Sequence, residues 1–301
     1  MTASRSNERF LPGITFPESL KIASSADMAS IAGFEHYLVV VPSHAFRQTL
    51  ENLYSARAKA NMPSEPQSII WGTKGFDPES GNLLSEVTRE VFGENIAPAL
   101  ITGPSFAKET AKGLPTALVL ACEQTEEGEK LAEWFRSPST RVYPNKDLTG
   151  AQIGGAVKNV MAIAAGMGDG LGFGYNARAA LITRGLAEIA RLGAALGGQP
   201  ETFMGLTGAG DLILTCTGDL SRNRLVGLQL AKNKPLDTIL MELGHVAEGV
   251  HSAREVLALA QALDIDMPIT RAVRHILYDD TPAAAAVEEL LNRALKPEHA
   301  N

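Results

Sequence analysis

Short apolar runs with β-strand character alternate with helical patterns over the first half of the chain, and this alternation constrains the fold most. The strand-like runs span residues 36–41, 68–71, 97–102, 116–121 and 140–143. Helical patterns separate them at residues 45–54, 83–92, 106–111 and 126–135. Strands that alternate with helices in this way predict a parallel, doubly wound sheet of the α/β class.

Strand patterns end near residue 146, and helical periodicity takes over. Residues 248–263, for example, place their apolar side chains at the spacing of one helix face. We therefore expect an α/β domain over residues 1–146 and an all-helical domain over residues 147–301. A content of 45% hydrophobic and 20% charged residues is enough to build both cores.

Composition excludes several classes of function. The formal net charge of -7 argues against general nucleic-acid binding. No apolar run reaches the roughly 18 residues of a membrane span, and the first residues lack the apolar core of a signal peptide. Cys122 and Cys216 have no CxxC partner and no metal-ligating neighbours, which predicts reduced, buried thiols and no metal site. We expect a cytoplasmic protein.

Lys158 is the one lysine in the Gly- and Ala-rich stretch 154–189, which has helical character and little charge. Burial of an ammonium group lowers its pKa towards the range of a general base. A lysine near a helix start can equally extend its ammonium group to water. This stretch alone leaves both interpretations open.

Polar residues follow three of the predicted strands, where ligands bind in open α/β sheets. These loops are residues 42–44, 73–75 and 103–107. Lys74 places a cation at the ligand edge of the sheet, whereas the other two loops are also typical of ordinary strand-to-helix turns.

The stretch 205–224, GLTGAGDLILTCTGDLSRNR, stands out in the helical half. Asp211 lies among apolar residues, so it needs a cationic partner. Residues 221–224 offer a hydroxyl, an amide and two guanidinium groups, which suit a phosphate. A solvated turn has the same composition, and both readings stay open at this point.

These pieces together resemble the bacterial NAD(P)-dependent glycerol-3-phosphate dehydrogenases over nearly the whole chain. The resembling segments are NERFLPG, VVVPSHAF, WGTKG, ITGPSFAKE, GLPTA, GGAVKNVMAIAAG, GFGYNARAALITRGLAE, TGAGDLILTCTGDLSRNR, HVAEGV and DMPIT. Their common order and spacing make the resemblance far more specific than any single motif.

The resemblance implies reversible hydride transfer between NAD or NADP and C2 of glycerol 3-phosphate, a precursor for phospholipid synthesis. Lys158 is then the general acid and base, with Asn159 beside it. Lys74 contacts both substrate and cofactor. Asp211 holds the catalytic lysine and a substrate hydroxyl, with help from Thr215. A homodimer is possible, because family members are commonly dimers.

The resemblance also assigns the residues that bind the substrate phosphate and those that line the rest of the substrate and cofactor site. It implies that the substrate phosphate is bound by Ser221, Arg222 and Asn223. Further positions that it places on the substrate or cofactor are Gly103, Ser105, Ala107, Arg222, Val246 and Glu248. It implies no metal and no membrane or nucleic-acid partner.

One family feature is absent from the sequence, which contains no G-x-G-x-x-G turn for a pyrophosphate. We therefore expect the α/β domain to lack its first β-α-β unit and strand 36–41 to have an unpaired edge. Either the start is misassigned or the gene is truncated. The 301-residue chain is in both cases expected to be weakly active or inactive.

Two alternatives remain at this stage. The chain could be another two-domain dehydrogenase of the β-hydroxyacid type, although Asp211 and the cluster at residues 221–224 speak against that. It could also be an inactive relic that binds a phosphate ester or a partner chain without turnover.

Overall fold

A five-stranded sheet forms the centre of the first domain. The structure is a computed structural model that describes residues 4–24, 27–244, 247–279 and 281–291. The strands of the sheet, in spatial order, are β3 (His36–Val39), β4 (Ser68–Trp71), β5 (Ala97–Thr102), β6 (Thr116–Cys122) and β7 (Thr140–Asn145). A small antiparallel pair, β1 (Ser6–Asn7) and β2 (Leu11–Thr15), precedes them.

The sheet is mixed, which corrects the expectation that all its strands are parallel. The pairs β3–β4, β4–β5 and β6–β7 are parallel, whereas β5 and β6 are antiparallel. The helix between β5 and β6, α3 (Ala107–Ala111), has five residues and is about 7.5 Å long. It is too short to carry the chain back along the sheet, so β6 returns in the opposite direction.

Three longer helices pack against this sheet. They are α1 (Phe46–Lys59), α2 (Leu84–Phe92) and α4 (Thr125–Trp134). Helix α1 extends five residues beyond its predicted end, because the buried guanidinium of Arg57 donates to the carbonyls of Ala32 and Pro63 and anchors the last turn.

Strand β3 lies at the edge of the described sheet, as expected, since it pairs only with β4 there. The side chains of Leu38, within β3, and of Val40, directly after it, are exposed. The edge therefore presents apolar side chains together with unpaired backbone groups.

All later elements are helices. They are α5 (Leu148–Gly170), α6 (Gly174–Ala195), α7 (Pro200–Met204), a π-helical turn (Leu206–Gly210), α8 (Asp211–Thr217), α9 (Arg222–Leu230), α10 (Leu236–Leu243), α11 (Glu248–Ala262), α12 (Pro268–Tyr278) and α13 (Ala283–Leu291). The predicted class, an α/β domain followed by a helical domain, is confirmed. No helix among the described residues is both long enough and apolar enough to cross a bilayer.

Helix α5 runs through the core of the second domain and is buried from Gly150 to Met167. It ends before Gly172 and Gly174, which both have positive φ angles and turn the chain into α6. Its small residues allow α9 to approach closely, since a Cβ on Gly166 would lie 2.0 Å from the carbonyl oxygen of Arg224. The first turn of α9 is therefore held directly against α5.

Candidate active site

Lys158, in the middle of α5, is surrounded by polar groups from helix α8 and from the loop after β4. Its Nζ donates to Oδ1 of Asp211, the first residue of α8, and lies 2.9 Å from Oγ1 of Thr215. Lys74, which follows β4, places its Nζ 2.5 Å from the other carboxylate oxygen, Oδ2, of Asp211. The carboxylate thus lies between two ammonium groups.

Burial sets the protonation behaviour of this cluster. The Lys158 side chain is almost inaccessible, with 5% of the residue exposed. Burial and the nearby charge of Lys74 lower the pKa of Lys158 to about 7, although Asp211 opposes the change. Burial alone would raise the pKa of Asp211, but the two lysines outweigh it and hold that pKa below its usual value.

One glycine on α5 makes this assembly possible. A Cβ on Gly154 would lie 2.7 Å from the carbonyl oxygen of Thr207, in the π-helical turn that leads to Asp211. At Gly155, by contrast, an added Cβ would make only an ordinary contact, 3.5 Å from Cγ of Lys74. The absence of a side chain at Gly154 therefore leaves room for the turn that carries Asp211.

An amide bridge joins three helices next to Lys158. Nδ2 of Asn223 donates to Oδ1 of Asn159 at 3.0 Å, and the backbone N–H of Gly249 donates to Oδ1 of Asn223 at 3.0 Å. Asn223 is buried, and both ends of its amide are engaged. The bridge places Glu248, the first residue of α11, close to the lysine-bearing helix.

The cluster at residues 221–224 divides into different roles. Ser221 caps α9 by accepting the backbone N–H of Arg224 at 3.2 Å. The guanidinium of Arg224 pairs with Asp169 at the end of α5. Arg222 is exposed and makes no hydrogen bond or ion pair within the described residues. Arg222 is consequently the arginine that an anion can reach.

The loop after β5 borders the same region. A Cβ on Gly218 would lie 2.6 Å from the Phe106 ring, so the loop leading to Ser221 contacts the loop after β5. Gly103 adopts a φ of +130° and packs against β6, and its carbonyl accepts from Oγ of Ser105 at 3.3 Å.

Two of the remaining predicted positions, Ala107 and Glu248, lie at the starts of α3 and α11. Ala107 begins α3 and is exposed. Oε2 of Glu248 accepts a hydrogen bond from Oγ of Ser43 at 3.1 Å and so links α11 to the loop after β3. Val246 lies outside the described residues.

Sequence reasoning missed two residues that shape this region. Asp169 was one carboxylate in a glycine-rich segment, and its isolation among small residues was the only signal that it needs cationic partners. Thr102 ends β5, and its buried Oγ1 has no hydrogen-bond partner among the described residues. Nothing in its sequence context distinguished it from an ordinary strand threonine.

A Rossmann-like α/β domain, a helical domain and a buried lysine of lowered pKa at their contact define a class of protein. The class is that of the two-domain dehydrogenases.

Comparisons with known proteins identify the family within this class. The family model described as NAD-dependent glycerol-3-phosphate dehydrogenase N-terminus matches residues 1–128, and the corresponding C-terminus model matches residues 147–288. The chain belongs to this family.

Individual relatives agree with that assignment. The chain is 51% identical over 298 residues to a protein of Nitrosospira multiformis named glycerol-3-phosphate dehydrogenase (NAD(P)+), covering 99% of this chain and 87% of that protein. A protein of the same name from Thiobacillus denitrificans is also 51% identical, with 99% and 88% covered. The crystal structure of glycerol-3-phosphate dehydrogenase from Coxiella burnetii superimposes with a TM-score of 0.91 at 43% identity, covering 97% of this chain and 87% of that one.

The comparisons give no support to the predicted loss of an N-terminal β-α-β unit. The N-terminal family model matches from residue 1, and the chain spans 87% of the Nitrosospira relative. That expectation stays an untested prediction, as do the domain limits at residues 146 and 147.

Proposed function

We propose that this chain is an NAD(P)-dependent glycerol-3-phosphate dehydrogenase, which interconverts sn-glycerol 3-phosphate and dihydroxyacetone phosphate. The observation that carries the proposal is the buried Lys158 ammonium, held by Asp211 and Thr215 beside Lys74. Membership of the family supports it.

Lys158 is the proton-transfer group of the proposed reaction. In the oxidative direction, its neutral amine takes the proton from the C2 hydroxyl as the carbonyl forms. In the reductive direction, its ammonium returns a proton to the same oxygen. A pKa of about 7 makes both forms available near neutral pH.

Asp211 and Thr215 orient that lysine. The carboxylate and the hydroxyl fix two of the directions around Nζ, which leaves the remaining one for the substrate oxygen. Lys74 shares the carboxylate, so its positive charge also lies close to the oxygen that becomes negative during reduction. The three groups together stabilise charge where the reaction develops it.

Ser221, Arg222 and Asn223 are proposed to bind the substrate phosphate, with Arg222 as the charged donor. A guanidinium forms two parallel hydrogen bonds to a phosphate, and that geometry fixes the orientation of C2 relative to Lys158. Gly103 and Ser105 complete the proposed substrate cleft.

The residues at the carboxyl ends of the strands fit the nicotinamide end of a bound NAD(P). The buried Oγ1 of Thr102, at the end of β5, lacks a hydrogen-bond partner among the described residues. Lys74, Ala107, Arg222, Val246 and Glu248 are the residues proposed to hold the cofactor. When bound, the cofactor supplies or accepts the hydride at C2.

The test is an assay of the purified chain with NADH or NADPH and a panel of carbonyl substrates. We expect oxidation that depends on dihydroxyacetone phosphate. Turnover at ordinary enzyme rates would overturn only the prediction that the chain is weakly active or inactive, and not the proposed function. A preference for β-hydroxyacid substrates would overturn the proposed substrate. Calorimetric binding of glycerol 3-phosphate without any turnover would favour the inactive relic.

The proposal extends to the setting of the reaction. We propose that the reaction takes place in the cytoplasm and supplies glycerol 3-phosphate for phospholipid synthesis. The buried free thiols of Cys122 and Cys216 suit a reducing compartment. The proposed homodimer is tested by sedimentation of the purified chain.

A further inference from the structure

The two arginines of the segment 221–224 have opposite environments. Arg222 is exposed and unpaired within the described residues, whereas Arg224 is buried and fully engaged. Nε and Nη2 of Arg224 lie 2.9 and 2.8 Å from Oδ2 of Asp169. Its Nη1 lies 3.0 Å from Oδ1 of Asp219. Arg224 is therefore not free to bind a phosphate.

Asp169 receives a second arginine on its other oxygen. Nε of Arg178, in α6, lies 2.7 Å from Oδ1 of Asp169. The carboxylate thus ties the end of α5 to the first turns of both α6 and α9. Such a mostly buried carboxylate holds its two guanidinium partners in one geometry, since loss of the carboxylate would remove a buried negative charge from beside both arginines.

The backbone reinforces the position of Arg224. A Cβ on Gly166 would lie 2.0 Å from the carbonyl oxygen of Arg224. Gly227 lies one turn after Arg224 in α9, and a Cβ there would lie 2.0 Å from the carbonyl oxygen of Ile163. Helices α5 and α9 are therefore in backbone contact next to the ion pair. This contact fixes their separation and the face of α9 that meets α5, while the ion pair anchors the first turn of α9 to the end of α5.

The rotation of α9 decides where its neighbouring side chains lie. Successive residues of a helix are about 100° apart, so Arg222 lies about 200° around the axis from Arg224. Asn223 lies between them and contacts Asn159, next to Lys158. If Arg224 loses Asp169, the first turn of α9 loses this anchor, and Arg222 then moves relative to the catalytic lysine.

We infer that Asp169, acting through Arg224, is a positioning residue that sets the phosphate-binding turn of α9 at a fixed distance from Lys158. This inference rests on the proposed function, because it concerns the same substrate phosphate. It assigns opposite tasks to the two arginines, with Arg222 binding the phosphate and Arg224 holding Arg222 in place.

The test compares Asp169→Asn with Asp219→Asn, since both carboxylates pair with Arg224 but the Asp219 side chain is 95% exposed. For Asp169→Asn we expect the KM for dihydroxyacetone phosphate to rise about tenfold or more, with kcat within about twofold. The KM for unphosphorylated dihydroxyacetone should not change. Asp219→Asn should change neither value, and Arg224→Lys, which keeps the charge but loses the two-point contact, should fall between wild type and Asp169→Asn.

Equal losses with both substrates, or a lower Tm with unchanged KM values, would overturn the inference and leave Asp169 a purely structural residue. Calorimetric binding of sn-glycerol 3-phosphate provides a readout that does not need turnover. If the wild-type chain binds sn-glycerol 3-phosphate and Asp169→Asn binds it with the same affinity, only this inference is contradicted. Failure of the wild-type chain to bind the ligand contradicts the proposed function itself.

Discussion

The Nζ atom of Lys74 lies 2.5 Å from Oδ2 of Asp211, although 137 residues separate them in the chain. Lys74 follows the second strand of the sheet, and Asp211 begins a helix of the second domain. Because Asp211 also holds Lys158, the proposed proton-transfer site exists only when the sheet edge and the helical domain are in contact.

Replacement of Lys158 by Met should abolish proton transfer while preserving much of the side-chain volume. We expect kcat with dihydroxyacetone phosphate to fall by about 10²- to 10⁴-fold, the usual contribution of a positioned acid or base. Lys158→Arg should be nearly as inactive, because a guanidinium stays protonated at every working pH. Initial rates of NADH oxidation measure both effects.

A matched control for that experiment is Lys146→Met, in the segment between β7 and α5. Its rates should equal those of the wild-type chain. If Lys158→Arg retained wild-type turnover, Lys158 could not be the group that gives up the proton.

The pH dependence of the reaction should have opposite signs in its two directions. Oxidation of glycerol 3-phosphate needs the neutral amine of Lys158, so kcat/KM should rise as the pH increases through about 7, the pKa of that residue. Reduction of dihydroxyacetone phosphate needs the ammonium form, so its kcat/KM should fall over the same interval. Profiles that change in the same direction for both reactions would contradict this role.

Removal of the Lys74 charge should move those profiles to higher pH. Lys74 lowers the pKa of Lys158 by like-charge repulsion and also competes for Asp211. In Lys74→Met, we therefore expect the inflection of kcat/KM to lie above that of the wild-type chain, alongside a lower maximal rate. An unchanged or lower inflection would show that burial alone sets the pKa of Lys158. Lys108→Met, at an exposed position in α3, is the control.

Much of the fold could be predicted because its signals are local. Strand β4 lies at the predicted residues, and helix α2 begins one residue after its predicted start. The antiparallel direction of β6 could not be predicted, since an apolar run reads the same in either direction. Only the length of the connection before it carried that information.

The candidate site also has features that local sequence signals predicted and features that depend on tertiary packing. An aspartate among apolar residues signalled the need for a cationic partner, whereas the lone lysine in an apolar run left two interpretations open. The structure brings Lys158 and Asp211 together. Residue types alone could not separate Arg222 from Arg224, which have the same side chain two positions apart, and only the family resemblance assigned the phosphate to Arg222. Their roles depend on which face of α9 meets α5, and that follows from tertiary packing around Gly166.

Substitution of Gly249 by Ala should separate α11 from α5. A Cβ at this position would lie 2.5 Å from the carbonyl oxygen of Asn159 and 2.8 Å from Oδ1 of Asn223. Backbone cannot move away cheaply, so we expect a loss of about 1–3 kcal/mol in the free energy of unfolding. Urea denaturation measures it. Gly33→Ala, where the added Cβ meets no atom within 4 Å, should stay within about 0.5 kcal/mol of wild type.

Glu188 should make the stability of the helical domain pH-dependent. Its carboxylate, on a residue 1% exposed, accepts the backbone N–H groups of Ile269 and Thr270 and so caps α12 from the neighbouring α6. Burial outweighs these hydrogen bonds and raises the pKa of Glu188 from 4.5 to about 7. The folded chain then binds this proton more tightly than the unfolded chain does.

The sign of the effect follows from that difference in proton binding. The stabilisation from Glu188 is fully present below pH 4.5 and is lost as the pH rises through about 7, at about 1.4 kcal/mol per unit of pKa difference. Glu188→Gln cannot titrate, so the unfolding free energy of wild type minus that of the variant should decrease between pH 4.5 and 7. Denaturant titrations at several pH values measure this difference, and the exposed Glu79→Gln should give a constant one. A difference that stays constant for Glu188→Gln as well would mean that this carboxylate ionises in the folded chain as easily as it does in the unfolded one.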